Sequence, residues 1–150
     1  MHGTLAEADE LVGGLLAAAE AQTDRTVIVA PPFTALAAVC EKTRQSPIQV
    51  AAQNMHHEAK GAFTGEISPQ MLLELGVSAV ILGHSERREL FAETDSLIHQ
   101  KVKSALAHNL DVILCVGETR ESRHAPATSH RPVRPRLSAR NWRRRMSGIE

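Results

Sequence analysis

The chain has few cysteines, no long hydrophobic run and no glycine-rich nucleotide loop. Cys40 and Cys115 make neither a disulfide framework nor a CxxC pair, so a reducing, cytoplasmic location is expected. The longest charge-free apolar stretch, Leu11 to Ala19, falls far short of the ~20 residues a membrane span needs. No basic region precedes an apolar one at the N-terminus, so no secretory signal is expected. Gly61, Gly65 and Gly83 fit neither GxGxxG nor a P-loop. The composition is ordinary for a globular protein, with 23% charged and 43% hydrophobic residues. That excludes a wholly disordered or collagen-like chain, and 150 residues suffice for one domain.

The net charge of zero conceals two compositions. Residues 1–119 carry 8 Lys+Arg against 15 Asp+Glu, a net −7. Residues 120–150 carry 9 Arg, no Lys and 2 Glu, a net +7. The join lies near Arg120. Beyond it no helical or strand period is sustained, and the segment reads as a disordered Arg-rich tail.

Before the join, hydrophobic periodicity predicts alternating helices and strands. Thr4 and Glu7 form a capping box for a helix over 4–22, with Leu5, Ala8, Leu11, Val12, Leu15, Leu16 and Ala19 on one face. Residues 26–30 read as a strand apolar on both faces, ended by Pro31-Pro32. Thr34 is expected to cap a helix to about Arg44, with Leu36, Val39 and Cys40 inward. Residues 48–52 form a second strand. A polar loop from Gln53 to Ile67 is too long for a simple connector. Ser68-Pro69 starts a helix that Gly76 ends. Residues 79–82 form a third strand, which Gly83-His84-Ser85 turns into a helix capped by Ser85. Thr94 caps another, with Leu97, Ile98, Val102, Ala105 and Leu106 inward and Asn109 at its left-handed end. Residues 111–116 form a fourth strand. The α-β-α-β-α-β-α-β order requires parallel strands with crossover helices. Spacing leaves open a doubly wound sheet or part of a barrel.

Active groups of such folds lie at the carboxyl ends of the strands. His84 is the most informative of these. It leaves a strand and meets a helix start, where free N–H groups and the helix dipole disfavour an imidazolium. A neutral imidazole there could donate a hydrogen bond to a substrate carbonyl and stabilise an enediolate. The competing reading is a histidine that merely caps the helix. Glu86 fits a catalytic acid or base, and equally a first-turn glutamate favoured by the dipole. Adjacent His56-His57-Glu58 side chains rarely converge on one ion, so a solvated loop is preferred to a metal site. Cys115 reads as a packed strand residue.

Gly83-His84-Ser85-Glu86-Arg87-Arg88, preceded by Val80-Ile81-Leu82, resembles the signature of the triosephosphate isomerase family. Val29-Ala30-Pro31-Pro32-Phe33, Ala52-Gln53-Asn54 with Gly61 to Glu66, and Cys115 to Glu118 agree in order. The opening Met1-His2-Gly3-Thr4 also resembles the end of the family's first strand and loop. Similarity covers residues 1 to about 120. The resemblance implies a (β/α)8 barrel, and the family is itself a standard example of a neutral active-site histidine. It implies interconversion of dihydroxyacetone phosphate and glyceraldehyde 3-phosphate, in glycolysis and gluconeogenesis, with no metal or cofactor. His84 then matches the electrophile, Glu86 a supporting glutamate and Ser85 the residue at the helix start. Thr64 matches the residue that reaches into the partner of the family's homodimer, and Gln53, Asn54 and Arg87 belong to that interface region.

A complete barrel needs ~250 residues and eight strands. Four are read here, matching the family's second to fifth, so the expected architecture is an incomplete barrel over 1–119 followed by an unrelated tail over 120–150. The active-site Asn and Lys, the catalytic Glu, the lid and the phosphate loops have no counterpart, so negligible isomerase activity is expected of this chain. The abrupt Arg-rich onset suggests a shifted reading frame. Open sheet edges suggest self-association or pairing with a complementary half. The competing class is a non-catalytic fragment binding a partner or polyanion through its arginines. With Trp142 its lone aromatic, the tail is not expected to bind nucleic acid. A different phosphosugar barrel is disfavoured by the His84-Ser85-Glu86 run.

Overall fold

Every strand of the sheet runs parallel to its neighbours, and the strands lie in chain order. In the computed structural model, residues 2–22 and 24–117 are described; Glu118 and the Arg-rich segment lie outside them. The elements are α1 (Leu5–Glu20), β1 (Ile28–Val29), α2 (Phe33–Thr43), β2 (Gln49–Ala52), α3 (Pro69–Leu75), β3 (Ala79–Leu82), α4 (Ser85–Leu90), α5 (Asp95–Ala107) and β4 (Asp111–Leu114). The spatial order is β1-β2-β3-β4, with Ile28 opposite Gln49, Ala51 opposite Ala79, and Ala79 opposite Asp111. A doubly wound sheet reverses its strand order at a switch point. This sheet does not reverse, which is how consecutive strands of a barrel lie. The parallel α/β architecture is that of a partial (β/α)8 barrel.

Alternation along the strands splits the sheet into two faces. Val50, Ala52, Val80 and Leu82 join the core cluster with Leu36 and Val39 of α2, Leu72 of α3 and Ala105 of α5. Ala51, Ala79 and Ile81 occupy the alternate positions. Small alanines paired across β2 and β3 bring the strands' second face close to whatever packs there.

Capping chemistry sets most helix ends. Thr4 Oγ1 accepts from the Glu7 amide while Glu7 Oε2 accepts from the Thr4 amide at 2.7 Å. Ser68 and Thr94 likewise accept from the amides three residues on. Gly76 closes α3 at φ 88°, and Asn109 follows α5 at φ 60°. The expected Thr34 cap is not used. α2 begins at Phe33 after Pro32, which has no side-chain acceptor to offer. β1 and β4 are shorter than their apolar runs, because each has a strand partner on one side only among the described residues. The apolar stripe of α1 is only partly covered. Ala8, Val12 and Ala19 are buried, but Leu5 and Leu11 stand exposed. α1 packs chiefly on α2, and one helix neighbour covers less than its whole stripe.

Between α4 and α5 the chain turns through Ala92 at φ 53°, a left-handed conformation that costs an L-residue about 1 kcal/mol. Replacement by glycine removes that strain but frees the unfolded chain by about as much. Ala92→Gly is therefore expected to change stability by less than about 1 kcal/mol, whereas Ala92→Val should destabilise by about 1–3 kcal/mol. Urea melts of both variants check this, and equal losses would count against it.

Candidate active site

Parallel strands place all four carboxyl ends on one edge, and the third of them carries the candidate chemistry. β3 and β4 stay paired to their ends, where the Cys115 amide donates to the Leu82 carbonyl at 2.8 Å. The chain then turns at Gly83, whose φ of 74° favours glycine. Space favours glycine as well: an added Cβ would lie a tight 3.1 Å from Arg88 Nη2 and 3.2 Å from the Cys115 carbonyl oxygen.

His84 follows, and it is His84 rather than Ser85 that caps α4. Its Nδ1 accepts from the Glu86 amide at 3.3 Å, leaving Ser85 as the first helical residue. The imidazole reaches the same early-turn amide that a serine hydroxyl would otherwise take. Capping and chemistry are therefore not alternatives for this ring. An Nδ1 that accepts carries no proton, so a neutral ring bears it on Nε2, facing away from the helix. Glu86 contributes its backbone N–H. Its carboxylate is exposed, with Oε2 3.9 Å from Nδ1. The His84 ring is about half exposed.

Beside this turn lies a buried ionic network that sequence reading missed. Lys101 Nζ donates to Glu93 Oε1 at 2.6 Å and to Asn54 Oδ1 at 2.9 Å. Arg87 Nε donates to the same Glu93 oxygen at 2.6 Å, and its guanidinium lies over the Phe91 ring. The side chains of Lys101 and Glu93 are each 3% exposed. Burial pushes the Glu93 carboxyl up, but the hydrogen bonds and charges of Lys101 and Arg87 outweigh it and hold it below the usual carboxylate range. One signal was available in the sequence: Lys101 falls at helical spacing between Ile98 and Ala105, on the apolar face of α5.

The expected interface residues divide. Asn54 and Arg87 meet in this network. Gln53 instead donates to the Ala30 carbonyl at 2.8 Å, tying the ends of β1 and β2. Thr64 is exposed in the Phe63–Glu66 turn, which the Glu66 amide closes on the Phe63 carbonyl and in which Gly65 takes φ 89°. The loop from Gln53 to Ile67 is closed at its base by the His56 amide on the Ile67 carbonyl, 2.8 Å. The His56 ring sits against both His57 and Phe63, with centroids 4.4 and 4.1 Å away. Those histidines pack the loop. Among the described residues no group of three or more His, Cys, Asp or Glu is placed to hold a metal ion, and no helix is long and apolar enough to cross a membrane. Cavities of about 240 and 340 Å³ flank this loop and share His56 and Glu66; neither includes His84.

The sequence model of the family described as Triosephosphate isomerase matches residues 1–139, past the change of composition at Arg120. The chain is 51% identical to the triosephosphate isomerase of Chloroflexus aurantiacus over 125 residues, covering 83% of this chain and 50% of that protein. It is 52% identical to that of Syntrophotalea carbinolica, covering 85% and 51%. It is 54% identical to that of Roseiflexus sp. strain RS-1, covering 83% and 49%. The chain thus spans about half the length of the curated relatives it matches.

Removing the Lys101 ammonium leaves Glu93 buried with one cation fewer, so Lys101→Met is expected to destabilise by roughly 3 kcal/mol in chemical denaturation. A variant as stable as the parent would contradict this. Because the folded pKa of Glu93 is lowered, its contribution is full above the unfolded value of about 4.3 and fades as pH falls through the folded one. Melting temperature should therefore drop more steeply below about pH 4.3 in the parent than in Glu93→Gln. Parallel curves would show that Glu93 is not the acid-sensitive group.

Proposed function

The chain belongs to the triosephosphate isomerase family, and on that premise we propose that it carries the electrophilic half of a site interconverting dihydroxyacetone phosphate and glyceraldehyde 3-phosphate. One observation supports this most: the His84 Nδ1 acceptor bond to the Glu86 amide, which leaves Nε2–H as the free donor.

In the proposed reaction a base takes a proton from the carbon next to the substrate carbonyl. The electrons move onto the carbonyl oxygen, giving an enediolate. His84 Nε2–H donates a hydrogen bond to that oxygen as its charge grows, so the interaction is stronger in the transition state than with substrate. The hydroxyl proton of the enediolate then passes to the former carbonyl oxygen, the carbon-bound proton returns to the neighbouring carbon, and ketose becomes aldose. Glu86 and Ser85 support the ring: the first through its amide, the second by starting the helix behind it. Proton transfer needs a base within hydrogen-bond reach of the reacting carbon. We assign that base, and the lysine and phosphate loops, to no residue of this chain. The 150-residue chain by itself is proposed to turn over negligibly.

The Gln53–Ile67 loop is proposed as the contact to a second copy in a homodimer. Its packed base and the exposed Thr64 turn suit an element that reaches outward. Gln53 holds its root to the end of β1 and Asn54 to Lys101 of α5, while Arg87 joins the same network through Glu93. The setting proposed is glycolysis and gluconeogenesis in the cytoplasm, without metal or cofactor.

A coupled isomerase assay on the purified chain should show turnover at least about a thousandfold below that of a full-length relative, the scale of a missing general base. The electrophile is read separately. At saturating dihydroxyacetone phosphate, the carbonyl stretch of bound substrate should fall in frequency with the parent chain and not with His84→Gln. An unshifted carbonyl in a parent chain that calorimetric titration shows to hold the substrate would sink the assignment of His84.

A further inference from the structure

We infer that Arg88 is a positioning residue for His84, the clamp that fixes the backbone on both sides of the ring's attachment point; this rests on the reading of His84 given above. Two peptide planes flank the His84 Cα. The first ends in the Gly83 carbonyl, and Arg88 Nε donates to it at 2.8 Å. The second ends in the His84 carbonyl, and the Arg88 backbone amide donates to it at 3.1 Å. The Arg87 amide donates to the His84 carbonyl too, at 3.0 Å, so Arg88 holds the first plane through its side chain and shares the second. With the planes held, the φ and ψ of His84 (−56° and 140°) are fixed. Only two side-chain torsions remain, and the Nδ1 bond to the Glu86 amide sets those. That bond restrains the rotation of the imidazole.

The clamp has its own anchor. Arg88 Nη1 lies 2.6 Å from Asp95 Oδ1, at the first residue of α5. The guanidinium thus spans from the end of β3 to the start of the next helix. A planar group with five N–H donors can bridge a carbonyl and a carboxylate at once, which an ammonium on a flexible stem does poorly. Gly83 completes the arrangement. Its left-handed φ leaves open the space that a Cβ would take 3.1 Å from Arg88 Nη2. A purely helix-stabilising arginine would be indifferent to which ring nitrogen of His84 carries the proton. A clamp is not, because slackening the turn loosens the bond that keeps Nδ1 an acceptor.

The test is the tautomer of His84, read from the ring ¹⁵N shifts of the uniformly labelled 150-residue chain and assigned with His84→Gln. In the parent, Nδ1 should show the shift of an unprotonated acceptor and Nε2 that of an N–H. In Arg88→Met the tautomer ratio should fall roughly tenfold, the factor one net hydrogen bond supplies. The α2 amides should stay in place, showing that the fold persists. Arg88→Lys keeps the charge and can make one of the two bonds, so its ratio should lie between. If Arg88→Met does not fold, Asp95→Asn decides: it should move the ratio in the same direction by about threefold, as partial loss of a surface ion pair allows. A parent ring protonated on Nδ1 would overturn the reading of His84 and the clamp together. A parent ring protonated on Nε2, with the ratio unchanged in Arg88→Met or in the deciding Asp95→Asn, would overturn the clamp alone.

Discussion

A lysine and a glutamate, each removed from water, hold the site side of this molecule together. Lys101 and Glu93 would each be costly to bury alone; Asn54 and Arg87 add partners to the pair, although Glu93 Oε2 stays buried without a hydrogen bond. Asn54 Oδ1 accepts a hydrogen bond from Lys101 Nζ, and Arg87 donates to the same Glu93 oxygen as Lys101. These four residues come from the exit of β2, from α4, from the turn after it and from α5. The charge requirement therefore becomes a spatial one. α4 must lie where Arg87 reaches Glu93, and the loop after β2 must leave where Asn54 reaches Lys101. The position of α4 in turn sets where His84 stands.

The same economy of parts recurs at the β3–α4 junction. There the backbone supplies most of the specificity: a glycine with a positive φ, two carbonyls and one amide. Side chains act mainly by gripping that backbone. His84 grips the Glu86 amide and Arg88 grips the Gly83 carbonyl. The helix is short and exposed, so packing contributes little to its placement. Polar contacts to the chain ends do that work, and this is why a six-residue helix can present a ring in one orientation.

Much of this was legible in the sequence, where local rules act alone. The capping box at Thr4, the Ser68 and Thr94 caps, Gly76 and Asn109 all depend on residues within one turn, and the structure has them. β3 keeps its expected bounds because it has strands on both sides. β1 and β4 lose residues because a strand's length depends on its neighbours, which periodicity does not report. The exposure of Leu5 and Leu11 has the same origin. The cap of α4 was read as Ser85, the commoner cap residue, with a capping His84 only as a competing reading; the structure gives the cap to His84. Lys101, Glu93 and the double grip of Arg88 were not read, because each joins residues from different elements.

Strand order has one more consequence. Each strand pairs with the one made just before it, across one helix between β1 and β2, a loop and a helix between β2 and β3, and two helices between β3 and β4. The sheet thus extends in the direction of synthesis. No strand has to wait for a distant partner, so the entropy of closing each loop stays modest. On a ribosome, the nascent chain would present one growing edge at a time, and it would always be the edge most recently translated.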